Sequence, residues 1–195
     1  MNLQRFCVKV FAQSSPDFDD AKLINVFHDW IKRQVGLGTL IDVADYRHVP
    51  DGPGVMLITH EANFAMDHTE GRRLGLLYQR KTDQTGDTAA RILAAVGQAV
   101  TACQMLTRDP HVRGTLDFNA GELWVIANDR LRAPNTDAAY DQLRPHLQQV
   151  GERLFGGHAL SRVNNDDRER LAAQLVSTAP VSLDDLVAKV QRPGA

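Results

Sequence analysis

The chain is poor in cysteine. Its two, Cys7 and Cys103, lie far apart and each sits among apolar residues. No paired spacing of the zinc or redox kind exists, so both are expected as reduced, buried thiols. No apolar run approaches the roughly 18 residues a membrane helix needs. Lys9 interrupts the apolar run near the N-terminus, which removes the reading of a secretory signal there. Charge of one sign is also lacking. The formal net charge is −2, which excludes a broadly basic nucleic-acid binder. A cytoplasmic protein with no nucleic-acid and no membrane partner is the expectation.

Several catalytic signatures are missing as well. There is no G-x-x-x-x-G-K-[ST] or G-x-G-x-x-G phosphate loop and no G-x-S-x-G nucleophile elbow. The zinc-protease pattern H-E-x-x-H starts at His60-Glu61 but finds Phe64 at the second histidine position. What is present is an ordinary globular composition, 43% hydrophobic and 24% charged over 195 residues. A chain of that length buries a core without a disulfide or metal staple.

Hydrophobic periodicity organises the chain. Phe6 to Ala12 reads as a strand. Leu23, Val26, Phe27, Trp30 and Ile31 follow helical spacing, with Ser15 or Asp17 as the cap and Gly36 and Gly38 as the stop. Thr39 to Tyr46 is a second strand. Pro50 to Gly54 is a turn, and the unbroken apolar run Val55 to Thr59 predicts a central strand buried on both faces. Phe64 to Thr69 and Leu74 to Arg80 form a hairpin. A long helix follows from a cap at Asp87 to Leu106. Thr115 to Phe118 and Glu122 to Ala127 read as a second hairpin around Gly121. A helix capped by Thr136 carries Pro145, which predicts a kink or split. Gly156-Gly157 is the boundary candidate. Beyond it, Asp166 to Val176 and Leu183 to Val190 read as short helices, the latter opened by a Ser182–Asp185 capping box.

This order predicts an α+β two-layer sandwich: a mostly antiparallel sheet with helices on one face. Its βαββ beginning points to a ferredoxin-like core with additions. The expected organisation is a core domain over 1–157 and a C-terminal helical appendage over 158–195. Strands with apolar residues on both faces (Cys7 and Phe11 opposite Phe6, Val8 and Val10) leave one face uncovered. A homodimer is therefore expected, through the C-terminal helices or that face.

Three polar groups are candidates for a site. Tyr46 and His48 flank the proline-rich turn, and His60, Glu61 and Asp67 surround the next one; histidines and carboxylates are the material of acid–base and metal chemistry. His48 and His60 lie at opposite ends of a simple hairpin. His60, Glu61 and Asp67 converge on one pocket only if a bend near Asn63 brings them together. Asn128, Asp129 and Arg130 end an apolar strand, either lining a pocket mouth or forming an Asx turn. Arg72-Arg73 and Arg80-Lys81 match phosphate or carboxylate recognition, or simply a solvated hairpin tip. No ligand spacing assigns a metal, and no cofactor is implied. Two readings follow. One is a non-catalytic protein that binds a small molecule or a protein partner. The other is an enzyme using acid–base or metal-assisted chemistry at a His/Glu/Asp pocket.

Overall fold

The structure is a computed structural model that describes residues 1–15 and 17–191. Pro16 of the first expected turn and residues 192–195 of the expected appendage lie outside the described residues. The elements in chain order are β1 (Phe6–Ser14), α1 (Lys22–Arg33), β2 (Leu40–Asp45), β3 (Val55–Thr59), β4 (Ala62–Asp67), a 3₁₀ turn (Glu70–Arg72), β5 (Gly75–Arg80), α2 (Thr88–Arg108), β6 (Leu116–Ala127), α3 (Asp137–Phe155), β7 (His158–Arg162), β8 (Ala172–Ser177) and α4 (Leu183–Gln191). All eight strands join one antiparallel sheet in the order β2-β3-β4-β5-β1-β6-β8-β7. The mixed α+β class expected from the sequence is the class observed.

Side-chain alternation divides the sheet into two faces. Val8 and Val10 of β1, Leu76 and Tyr78 of β5, and Leu123 and Val125 of β6 pack against the helices in the main core. The opposite face carries a smaller apolar cluster: Cys7, Ala65, Leu77, Ile126 and Ala172, with Met56, Trp124 and Val163 at its margin. Two expected caps are made. Asp87 Oδ1 accepts from the Ala90 amide at 2.8 Å, and Thr136 Oγ1 from the Ala139 amide at 3.3 Å. The Ser182–Asp185 box closes reciprocally, with both backbone amides donating at 3.1 Å.

Five local expectations are corrected. The start of α1 at Lys22 has no side-chain cap; Ser15 and Asp17 lie upstream of it. β3 is not central: it lies one strand from the β2 edge, and Met56 and Ile58 are only half-buried. The second hairpin is a single strand, β6. β1 pairs with both halves of it, passing from Leu123 opposite Val10 to Phe118 opposite Ala12. Asn119 to Glu122 are thus a bulge, pinned by a 3.0 Å bond from the Gly121 amide to Asn119 Oδ1. α3 runs from Asp137 to Phe155 through Pro145, so the helix is not split there. Finally, the C-terminal segment is not a pair of helices. Leu171 and Leu175 are spaced as on a helix, but Ala173 and Leu175 alternate with Gln174 and Val176 along β8, filling the free edge of β6.

Among the described residues one helix, α2, is long and apolar enough by length and composition to cross a membrane, contrary to the run-length reading. Here it packs on β1, β5 and β6, with Ile92, Ala95, Val96, Ala99 and Cys103 fully buried. α4 packs on α2 and α3. The C-terminal segment therefore extends the sheet and joins the helical side. It leaves the opposite face to two connecting straps, residues 68–74 and 163–171.

Candidate functional site

The histidines and carboxylates singled out in the sequence do not converge. His60 and Glu61 precede β4, whereas Asp67 ends it. His60 is exposed, and its amide donates to the Thr39 carbonyl at 2.9 Å. The Glu61 carboxylate accepts from the Thr39 amide at 2.9 Å and from Thr39 Oγ1 at 3.1 Å. Those bonds, the amide first, hold its pKa below the ordinary value. Glu61 is a tie between the start of β2 and the β3–β4 turn. Tyr46 and His48 belong to the exposed turn before β3, closed by bonds from the Tyr46 amide to Gly54 and from the Val49 amide to Tyr46. Beside it, hydrogen bonds from the side chain and then the amide of Arg47 hold the Asp45 pKa down to about 2.

Asp129 caps its own turn, with a bond to the amide three residues on rather than the two of an Asx turn. Its carboxylate accepts from the Arg132 amide at 3.1 Å. Arg130 donates to the Asp167 carbonyl at 3.2 Å. Asn128 and Asp67 are different: each joins a polar network spread over the helix-free face of the sheet.

That network starts at Lys9, which is fully buried in the middle of β1. Its ammonium donates to the main-chain carbonyl of Asp67 at 2.9 Å and to the Asp67 carboxylate. Asp67 also accepts from Thr69 Oγ1 at 2.9 Å. Burial pushes the Lys9 pKa down, against the pull of the Asp67 charge. Gly75, cross-strand from both Asp67 and Phe11, makes room for this pair. A Cβ there would stand 2.8 Å from Lys9 Cε and 2.5 Å from the Val10 carbonyl oxygen.

Two arginines fasten the straps over the face. Arg73 grips Glu122 through two bonds of 2.8 and 3.0 Å, and its guanidinium lies 3.7 Å over the Phe11 ring. Gln174 donates to the same Glu122 at 2.9 Å. Arg170 pairs with Glu70, donates to Asn128 Oδ1 at 3.0 Å and approaches Cys7 Sγ at 3.8 Å. Burial pushes the Cys7 thiol up to about 12, with Arg170 opposing. At neutral pH it is a thiol rather than a thiolate nucleophile.

Between the straps lies a cavity of about 340 Å³. Thr69, Glu70 and Gly71 line one side; Val163, Asn164, Glu169 and Arg170 line the other, with Trp124 and Ala172 contributed by the sheet. Trp124 meets Phe11 edge-to-face at 5.1 Å. Its buried indole N–H has no hydrogen-bond acceptor among the described residues. Gly71 takes φ +64°, and a Cβ on it would come within 3.0 Å of the indole. Glycine is required there both for the left-handed backbone and for the close approach.

Sequence reasoning missed Lys9, Glu122, Trp124 and Arg170; it singled out Arg73 for phosphate or carboxylate recognition, and the carboxylate it meets is that of Glu122. Lys9 did carry a signal, a lone charge inside a strand apolar on both faces. Among the described residues, no group of three or more His, Cys, Asp or Glu is placed to hold a metal. The chain matches no known family model, no curated protein and no solved structure.

Proposed function

We propose that this chain is a non-catalytic binding protein whose small-molecule site is the cavity between the two straps. The observation that carries the reading is the cavity itself, about 340 Å³, with the Trp124 ring as one wall and Thr69, Asn164 and Glu169 in its polar lining. The cavity volume falls in the range of small-molecule sites. The ligand class is a compact polar molecule, matched to a lining of Thr69, Glu70, Asn164, Glu169 and Arg170.

The surrounding charges favour binding over catalysis. Lys9 is neutralised by Asp67, Glu122 by Arg73 and Arg170 by Glu70. None is left as a poised acid or base. Acid–base or metal-assisted catalysis at His60, Glu61 and Asp67 has no comparable support, because those groups stand at the two ends of β4.

The finer fold reading belongs with this proposal. The strand order β4-β5-β1-β6, with α1 following β1 and α2 joining β5 to β6, follows the ferredoxin-like plan of two split βαβ units. On that reading β2–β3 and β7–β8 are additions at the two sides, and the helices form the second layer. Two free buried thiols accord with a reducing, cytoplasmic setting.

The test is native mass spectrometry of freshly purified protein, followed by thermal-shift screening against small carboxylates, amides and nucleosides. Binding is expected to raise the melting temperature and to change Trp124 emission, with the emission change lost in Trp124→Phe. No retained species and no shift with any class would refute the proposal.

A further inference from the structure

The two edges of the sheet are built differently. β2 carries a bulge between Leu40 and Asp42 and two acidic residues, Asp42 and Asp45. Those devices discourage another strand from adding to it. β7 at the other edge has no bulge, no proline and no acid.

Hydrogen-bond parity shows which way β7 presents its backbone. The Val163 amide donates to Ala172 at 2.9 Å, and the Gly157 carbonyl accepts from Thr178 at 3.1 Å. The register places Ala159 and Ser161 in phase with these residues. They turn their amides and carbonyls toward β8, so His158, Leu160 and Arg162 turn theirs outward. Beside this edge runs a cleft of about 790 Å³, bounded by β7 and by the α3 stripe Tyr140, Arg144, Gln148 and Glu152. Positions four apart on a helix share one face. Arg144, Gln148 and Glu152 are exposed, and their side chains make no ion pair or hydrogen bond with the described residues.

We infer that this edge is the docking surface for a second copy of the chain. β7 pairs antiparallel with β7 of the copy about a two-fold axis at Ala159, so the outward groups of His158 and Leu160 exchange bonds across it. The sheet then continues from eight strands into sixteen (8 + 8).

Charge complementarity selects this occupant. His158 lies against Gly151, where a Cβ would stand 2.3 Å from its Nε2. Arg162 reaches Asp137 at 2.5 Å. Ala159 is therefore level with the stretch of α3 near Gln148. Around Gln148 the stripe reads base, amide, acid. A two-fold axis there sets each Arg144 opposite Glu152 of the partner subunit, once on each side, as an isologous interface requires. α3 packs over both β7 and β8, so the two copies of α3 would lie about two strand spacings apart, ~10 Å, a normal helix-packing distance. A foreign peptide would use the same backbone groups but would have no reason to match that stripe.

The experiment is sedimentation velocity on the full chain at micromolar concentration. The wild type is expected at twice 21.6 kDa. Arg144→Glu and Glu152→Arg each set like charges face to face and should weaken the dimer roughly tenfold or more. The double reversal should restore it. Both substitutions are on exposed positions, and equal melting of the monomeric forms will show that folding is intact. A single species at 21.6 kDa in the wild type overturns the inference. So does a dimer that ignores either single reversal, or one that the double reversal fails to restore.

Discussion

Lys9 Nζ donates to Asp67 twice, once to its main-chain carbonyl and once to its carboxylate. The bond to the carbonyl fixes the end of β4, and the bond to the carboxylate neutralises a charge that β1 has carried into the sheet. Removing one partner strands the other without water. Asp67→Ala is expected to cost about 3–5 kcal/mol in urea unfolding. Lys9→Met with Asp67→Asn should cost less than the sum of the two single changes, because the pair is removed together. Strict additivity in the cycle would show that the two residues are not coupled.

Stability should fall in alkali. The folded Cys7 thiol holds its proton up to about 12, whereas the unfolded thiol releases it near 9.0. Between those values the native state binds more protons, so the contribution is complete below pH 9.0 and is lost as pH rises toward 12. Lys9 acts with the opposite sign. Its folded pKa is below 10.5, so the unfolded state binds more protons in the interval beneath 10.5 and stability rises with pH there. Unfolding free energies measured from pH 8 to about 10.5 should fall less steeply in Cys7→Ala and more steeply in Lys9→Met. The reverse ordering would contradict these assignments.

Arg73 holds the 68–74 strap by geometry as well as charge. Lysine retains the charge but lacks the fork that spans both Glu122 oxygens and the flat group that stacks on Phe11. Arg73→Lys should lose about 1 kcal/mol, a melting decrease of about 2–4 °C. A melting temperature equal to wild type would mean that the strap is held elsewhere.

Gly75→Ala tests the room left for the lysine stem. The added methyl meets the Val10 carbonyl and Lys9 Cε, and β1 and β5 are both interior strands that yield little. A cost of about 1–3 kcal/mol is expected in denaturant titration. The same substitution combined with Lys9→Met should be milder, since part of the obstruction is then a flexible thioether chain.

How much of this was legible in the sequence depends on the range of the interaction. Helix caps at Asp87, Thr136 and Ser182 are written within four residues, and they form as read. The β4–β5 hairpin likewise follows from its own turn. β8 was misread because Leu171 and Leu175, four apart, match a helix; its partner, β6, lies some fifty residues earlier, as in the pairing of Leu123 with Leu175. The same holds for the site. Asp67 and Asn128 were visible as polar residues at strand ends, but their partners Lys9 and Arg170 lie 58 and 42 positions away. Spacing rules do not reach that far, and pairing in the sheet decides it.

The sheet order also bears on synthesis. β1 pairs with β5 through Cys7 and Gln79, and with β6 through Phe6 and Ala127. A growing chain therefore carries β1 with one edge unpaired until residue 127 has emerged. Contacts this distant in sequence form slowly and leave strand edges open to wrong partners meanwhile. Lys9 has no Asp67 to pair with until residue 67 has been made, so its ammonium stays in water for the first part of that interval.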